Sequence, residues 1–179
     1  MTKSIATTLT LAAIALLAVP PSSAQSRTSS YGCDTASGRF SEFAIPVQAS
    51  RFTLRGRVKP VLFRSDANYR PTAVIRLQNP QTGTAMAIRL NAVSAEAEGA
   101  LVTAELWKDG DPETAPIGTL ALGKVLDFTV AYTQGGASRI VIGERNIDVA
   151  ADLGGDFDLK LSCSTGDFVF DQLTWEVGP

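Results

Sequence analysis

Glu96-Ala97-Glu98 places two carboxylates at i and i+2, so in an extended strand both would share one face, as paired acid/base work requires. Gly99 follows at once, and in a turn the same pair would be two solvated acids. The rest of the chain narrows the chemistry further. Its 179 residues contain no histidine, which removes Ser-His-Asp and Cys-His activation, imidazole proton transfer and most zinc or copper sites. Ser164-Thr165-Gly166 has no basic partner at nucleophile spacing, and no Ser-x-x-Lys occurs. Carboxylate chemistry, oxygen-ligated metals and binding without catalysis survive.

For binding, the cations are the most informative residues. Residues 51–59 (RFTLRGRVK) alternate, with Phe52, Leu54 and Val58 on one side and Arg55, Arg57 and Lys59 on the other. Arg76 and Arg89 occupy the same outward phase in two later apolar runs, 73–77 and 86–90. Residues 27–89 hold ten Lys/Arg against three Asp/Glu, and residues 90–179 hold five against fifteen. Were the first-half strands neighbours, Arg55, Arg57, Lys59, Arg76 and Arg89 would form one basic patch for anionic polymers or carboxylate-bearing glycans. The competing expectation is that they cover a solvated face or pair across strands with acids of the second half. Trp107, at a strand end before Lys108-Asp109-Gly110, is a candidate sugar platform, as are Tyr69 and Tyr132. A sequence pI of about 5.1 argues against nucleic acid.

Strands must position these groups. Segments near 51–59, 73–77, 86–90, 100–108, 117–122, 125–133, 139–142, 147–150, 156–163 and 168–177 read as short strands separated by Gly, Asp or Pro turns. No apolar period of 3.6 residues follows residue 24, which predicts an all-β sandwich or barrel. The last strand changes phase: Phe168 and Phe170 are even, whereas Leu173, Trp175 and Val177 are odd. That shift predicts a bulge or an inter-sheet bend at Asp171-Gln172.

Residues 1–24 read as a secretory signal peptide: Lys3, an uncharged Leu/Ala-rich run over 5–19, Pro20-Pro21, then Ser22-Ser23-Ala24 before a cut at Gln25. The run is too short to span a bilayer, and no later segment is apolar enough to do so. The expected organisation is a signal peptide (1–24), a flexible leader (25–32) and one domain (33–179), exported to the periplasm or the extracellular space. Export makes a disulfide the first reading of the two cysteines, Cys33 and Cys163. Two unpaired thiols are the other reading, since bridged Cα atoms must approach within about 7 Å.

Leu126-Asp127-Phe128-Thr129-Val130-Ala131-Tyr132, then Gly135-Gly136, then Arg139-Ile140-Val141-Ile142-Gly143 resembles a hairpin of the concanavalin A-like, laminin G-like jelly roll. Phe168-x-Phe170-Asp171-x-Leu173-x-Trp175 is similar to the closing strand of that fold, which returns beside the N-terminal one. The chain also resembles small exported bacterial proteins. The resemblance implies a two-sheet antiparallel jelly-roll β-sandwich. Glycosidases of this fold carry Glu-x-Asp-x-x-Glu on one strand, and its lyases use a histidine and a tyrosine; this sequence has neither the string nor a histidine. Lectin-type relatives often bind calcium through loop carboxylates, which makes Asp109 and Asp111, and the acidic loop 152–158, weak metal candidates. Asp109-Gly110 is more simply a hairpin turn. The functional expectation is an exported, non-catalytic module for acidic glycan or an envelope component, with a carboxylate-based glycan hydrolase as the alternative.

Overall fold

The computed structural model describes residues 27–108 and 110–178, so the expected signal peptide lies outside the described residues. Twelve strands and no helices occur among them. In chain order they are β1 (Arg27–Asp34), β2 (Phe40–Gln48), β3 (Arg51–Phe63), β4 (Thr72–Gln78), β5 (Ala85–Asn91) and β6 (Gly99–Lys108). Then come β7 (Asp111–Ala121), β8 (Leu126–Thr133), β9 (Ser138–Ile142), β10 (Arg145–Val149), β11 (Asp156–Ser164) and β12 (Gly166–Gly178). They form two antiparallel sheets of six: β1-β12-β3-β8-β9-β10, here sheet A, and β2-β11-β4-β5-β6-β7, sheet B.

Alternation dictates which side of each strand is buried. Phe52, Leu54, Phe128, Val130, Ile140, Phe168 and Phe170 of sheet A face Ile75, Leu77, Ile88, Leu90, Phe157 and Leu159 of sheet B in one core. Phe157 anchors the contact edge-on against Phe52 and Tyr132, with ring centroids 5.6 and 5.1 Å away. Tyr132 is buried rather than a sugar platform, and its hydroxyl donates to the Gly154 carbonyl at 2.7 Å.

The hairpin suggested by residues 126–143 is β8–β9, and the closing strand β12 lies between β1 and β3. The phase change within β12 is a bulge: its register against β3 shifts between Asp171 and Thr174, and Gln172 takes a φ of 50°. Gly56 accommodates it. A Cβ there would lie 2.7 Å from Leu173 Cδ2 and 3.0 Å from Phe128 Cζ, so these side chains fill the inward position that Gly56 leaves open. The bend between sheets that precedes β12 lies earlier, at Thr165, a single residue with φ 53° between β11 and β12.

One boundary differs from the sequence reading. The supposed flexible leader enters the fold from Arg27 onward as β1, the edge strand of sheet A. Its polar sequence RTSSYG suits an edge strand, which has one solvated side and little core to fill. The segment from Phe40 forms β2, the matching edge of sheet B. The cysteines are bridged. Cys33 of β1 and Cys163 of β11 are both buried, with Cα atoms 6.0 Å apart, so the bond ties sheet A to sheet B across 130 residues.

Candidate glycan-binding groove on sheet B

The expected single basic patch does not form. Arg55, Arg57 and Lys59 lie on β3 in sheet A, whereas Arg76 and Arg89 lie on β4 and β5 in sheet B. Alternation assigned each cation correctly to an outward position, but the chain changes sheets between β3 and β4. The five therefore occupy opposite outer faces of the sandwich.

On sheet A the arginines are matched to second-half acids. Asp171 stands opposite Arg57 in the β3–β12 register and takes two hydrogen bonds from it, at 2.8 Å from Nε and 3.2 Å from Nη2. That pairing raises the Arg57 pKa, against a smaller effect of burial. Arg55 reaches Glu176 at 2.8 Å. Cross-strand neutralisation, the competing expectation, describes these two arginines.

Sheet B differs. The β4–β11 register places Lys160 directly opposite Arg76, two like charges facing each other. One strand further, Arg89 holds Glu105 through Nε at 2.6 Å and Nη2 at 3.2 Å. Glu105 is 6% exposed and also accepts from Trp107 Nε1 at 3.0 Å. Ala85 and Ala87 of β5, small and buried, stand between Arg76 of β4 and Trp107 of β6, and the Arg76 side chain spans β5 to reach that ring. Its guanidinium carbon lies 5.0 Å from the centre of the Trp107 ring. Arg76 has no carboxylate within ion-pairing distance among the described residues, and its Nε is buried without a hydrogen-bond partner. Burial first, and the neighbouring Arg89 second, push its pKa below the usual guanidinium value; attraction to Glu105 and Glu42 opposes them.

Beside Arg76 runs a groove of about 270 Å³, lined by Phe40, Glu42, Thr72, Val74, Arg76, Arg89, Lys160, Ser162 and Ser164, with Cys163 beneath. Phe40 is 64% exposed at one end, and the three hydroxyls lie between it and the cations. Trp107 is half-buried at the opposite end of the same face, where Arg76 covers it. Sequence reasoning missed Phe40, because β2 is an edge strand with no clean alternation. Lys160 was legible as the outward partner of Leu159 and Leu161, although its opposition to Arg76 depends on strand order. Lys160 lies 3.8 Å from Asp158, a loose pair. A larger cavity, about 400 Å³, opens between β7 and β10, but its walls carry Glu105, Glu113 and Asp148 against one lysine, Lys108.

The other candidates disperse. Glu96 and Glu98 are exposed on the loop between β5 and β6, outside the groove. Asp109 lies outside the described residues, and Asp111 is exposed opposite Lys108 at the start of β7. Asp152 accepts from the Gly154 amide at 3.0 Å within its own turn. No group of three or more His, Cys, Asp or Glu positioned to hold a metal ion occurs among the described residues. Tyr69 is exposed on the loop between β3 and β4 and does not line the groove.

No family model and no curated protein matches the sequence. Solved structures do match the architecture. The carbohydrate recognition domain of Emp46p, in its metal-free form, superposes with a TM-score of 0.56 at 9% identity, covering 87% of this chain and 88% of that one. The alginate lyase from Alteromonas sp.272 gives 0.54 at 10% identity, covering 75% and 77%. The carbohydrate binding module CBM66 from Bacillus subtilis gives 0.52 at 17% identity, covering 84% and 94%. The chain shares the two-sheet jelly-roll β-sandwich architecture of these structures, as the resemblance implied. At such identities the likeness establishes architecture alone, so activity must be argued from this chain's own residues.

Proposed function

We propose that this protein is an exported, non-catalytic module that binds acidic glycan in the groove on the outer face of sheet B. The observation that carries the reading is the cationic cluster: Lys160, Arg76 and Arg89 come from three adjacent strands, and Arg76 lacks a carboxylate partner. Like charges held opposite one another are unfavourable in the free protein, and an anionic ligand relieves that cost. Ser162 supplies a hydroxyl for sugar hydroxyls, Thr72 and Ser164, which donate to the Arg70 carbonyl, can still accept from them, and Phe40 supplies an exposed ring for stacking. Superposable structures include proteins described as a carbohydrate recognition domain and a carbohydrate binding module, which supports glycan as the ligand class. The non-catalytic part rests on the chain's chemistry. It has no histidine, Glu105 is committed to Arg89 and Trp107, and Glu96 and Glu98 stand on an exposed loop. The buried inter-sheet disulfide supports an oxidising compartment.

The test is a glycan array probed with the purified protein, with and without calcium, followed by a turnover assay on every glycan retained. The reading predicts retention of uronic acid-containing glycans, independent of calcium, without cleavage. Binding should fade as ionic strength passes about 0.15 M, where screening reaches near 8 Å. Cleavage lost in Glu96→Gln or Glu98→Gln would establish the hydrolase instead.

A further inference from the structure

The two other arginines with bidentate partners define how an arginine on these sheets holds a carboxylate. Arg57 and Arg89 both use the same edge, Nε together with Nη2, at 2.8 and 3.2 Å and at 2.6 and 3.2 Å. On Arg76 that edge is not engaged: Nε is buried and has no acceptor, while the guanidinium covers Trp107. A ligand cannot reach a buried Nε without displacement of the group that carries it. Ala85 and Ala87 beneath offer no side chain to fix the guanidinium against the sheet, and the repulsion of Arg89 is met only at longer range by Glu105 and Glu42, neither of which pairs with it.

We infer that Arg76 is the residue that selects a sugar carboxylate, and that in binding it turns its guanidinium off Trp107 to present the Nε–Nη2 edge to the groove. The movement exchanges the cation–π contact for a charge-assisted fork and uncovers the indole ring for the next sugar unit. The carboxylate is anchored between Arg76 and Lys160, and the chain of sugars runs between Phe40 and Trp107. This deepens the acidic-glycan reading and rests on it for the polymer, but the carboxylate site stands on Arg76's own geometry.

The experiment is a tryptophan-emission titration paired with calorimetry, using oligomers of galacturonic, glucuronic and mannuronic acid, their methyl esters and the free monomers. The wild type should bind at least one acid oligomer with a change in emission, and its methyl ester should bind about tenfold more weakly or worse. Arg76→Lys, which keeps the charge but loses the fork, should also lose about tenfold. Trp107→Phe should abolish the emission change while leaving measurable binding, and Arg76→Gln should melt no lower than the wild type. Arg76→Lys binding as tightly as the wild type, or esters binding as well as acids, would overturn the inference. Equal binding of acids and esters, unaffected by Arg76→Gln, would do so while leaving a glycan-binding module intact. A monomer response that depends on Arg76, with no oligomer binding more tightly than the monomer, would support the carboxylate site and overturn the polymer reading. Absence of any response would overturn both.

Discussion

The two outer faces of this sandwich carry arginines in the same outward phase, yet on one face Arg55 and Arg57 both hold carboxylates and on the other Arg76 holds none. On sheet A, β12 returns from the acidic end of the chain to lie beside β3, bringing Asp171 to Arg57 and Glu176 to Arg55. On sheet B, the neighbour of Arg76 is β11, whose residue in register is Lys160. Strand order therefore decides whether an outward arginine becomes part of the fold or remains available to a ligand. Within sheet B the contrast repeats at shorter range: Arg89 has Glu105, and Arg76, diagonally adjacent on the next strand, has an aromatic ring.

Removing Glu105 should move Arg89 from the first class to the second. Glu105→Gln keeps the shape and an acceptor for Trp107 Nε1 but leaves a partly buried guanidinium without its counter-charge. Chemical denaturation should show a loss of about 3 kcal/mol, near the lower end for a broken buried pair because Arg89 keeps some solvent. Affinity for acidic oligomers should rise at the same time. A variant that is less stable yet binds no better would mean that Arg89 does not contribute to the groove's field.

The structural character of sheet A can be probed at the bulge that aligns β12 with β3. Gly56→Val would drive a branched side chain into Leu173 and Phe128, and should cost about 2 kcal/mol by overpacking. Affinity in the groove should be unchanged if the fold persists. An unaltered melting temperature would show that the bulge is not locked by the absent side chain.

The smallest effect concerns Asp167, opposite Asp34 in the β1–β12 register. Burial first, and the Asp34 charge second, raise its pKa above the ordinary aspartate value, while Arg64 and Lys59 counteract. A carboxylate whose folded pKa lies above its unfolded one destabilises the fold when ionised in both states. At pH 7, Asp167→Asn should thus raise the melting temperature slightly. The gain should shrink as pH falls through the aspartate range, where both states become protonated. A gain that persists at low pH would point to packing rather than charge.

Much of the architecture was legible because it depends on period-two alternation, which is local. Residues 51–59, the hairpin 126–142 and the phase change at Asp171-Gln172 each appear as strands or bulge where the pattern places them. The cysteine pairing followed from their number and the expected compartment. The edge strand β1 was harder: it buries little, so RTSSYG lacks the pattern that marks a central strand. The candidate site was legible only in pieces. Arg76, Arg89 and Trp107 belong together on sheet B, but Arg55, Arg57 and Lys59 had to be separated from them. Lys160 and Phe40, distant in sequence, joined only through the order β2-β11-β4-β5. Alternation assigns a side chain to a face; it carries no information on which strands share that face.

On the proposed function, the face of sheet B, and not that of sheet A, holds the acidic ligand. Calorimetric titration of the same uronic acid oligomer into Arg76→Gln and into Arg55→Ser/Arg57→Ser addresses it directly. Arg76→Gln should lose about tenfold or more in affinity through a missing charge-assisted pair. The double variant should stay within about twofold of the wild type, its charges lying on the opposite face and screened. Loss of binding in the double variant with full affinity in Arg76→Gln would contradict it.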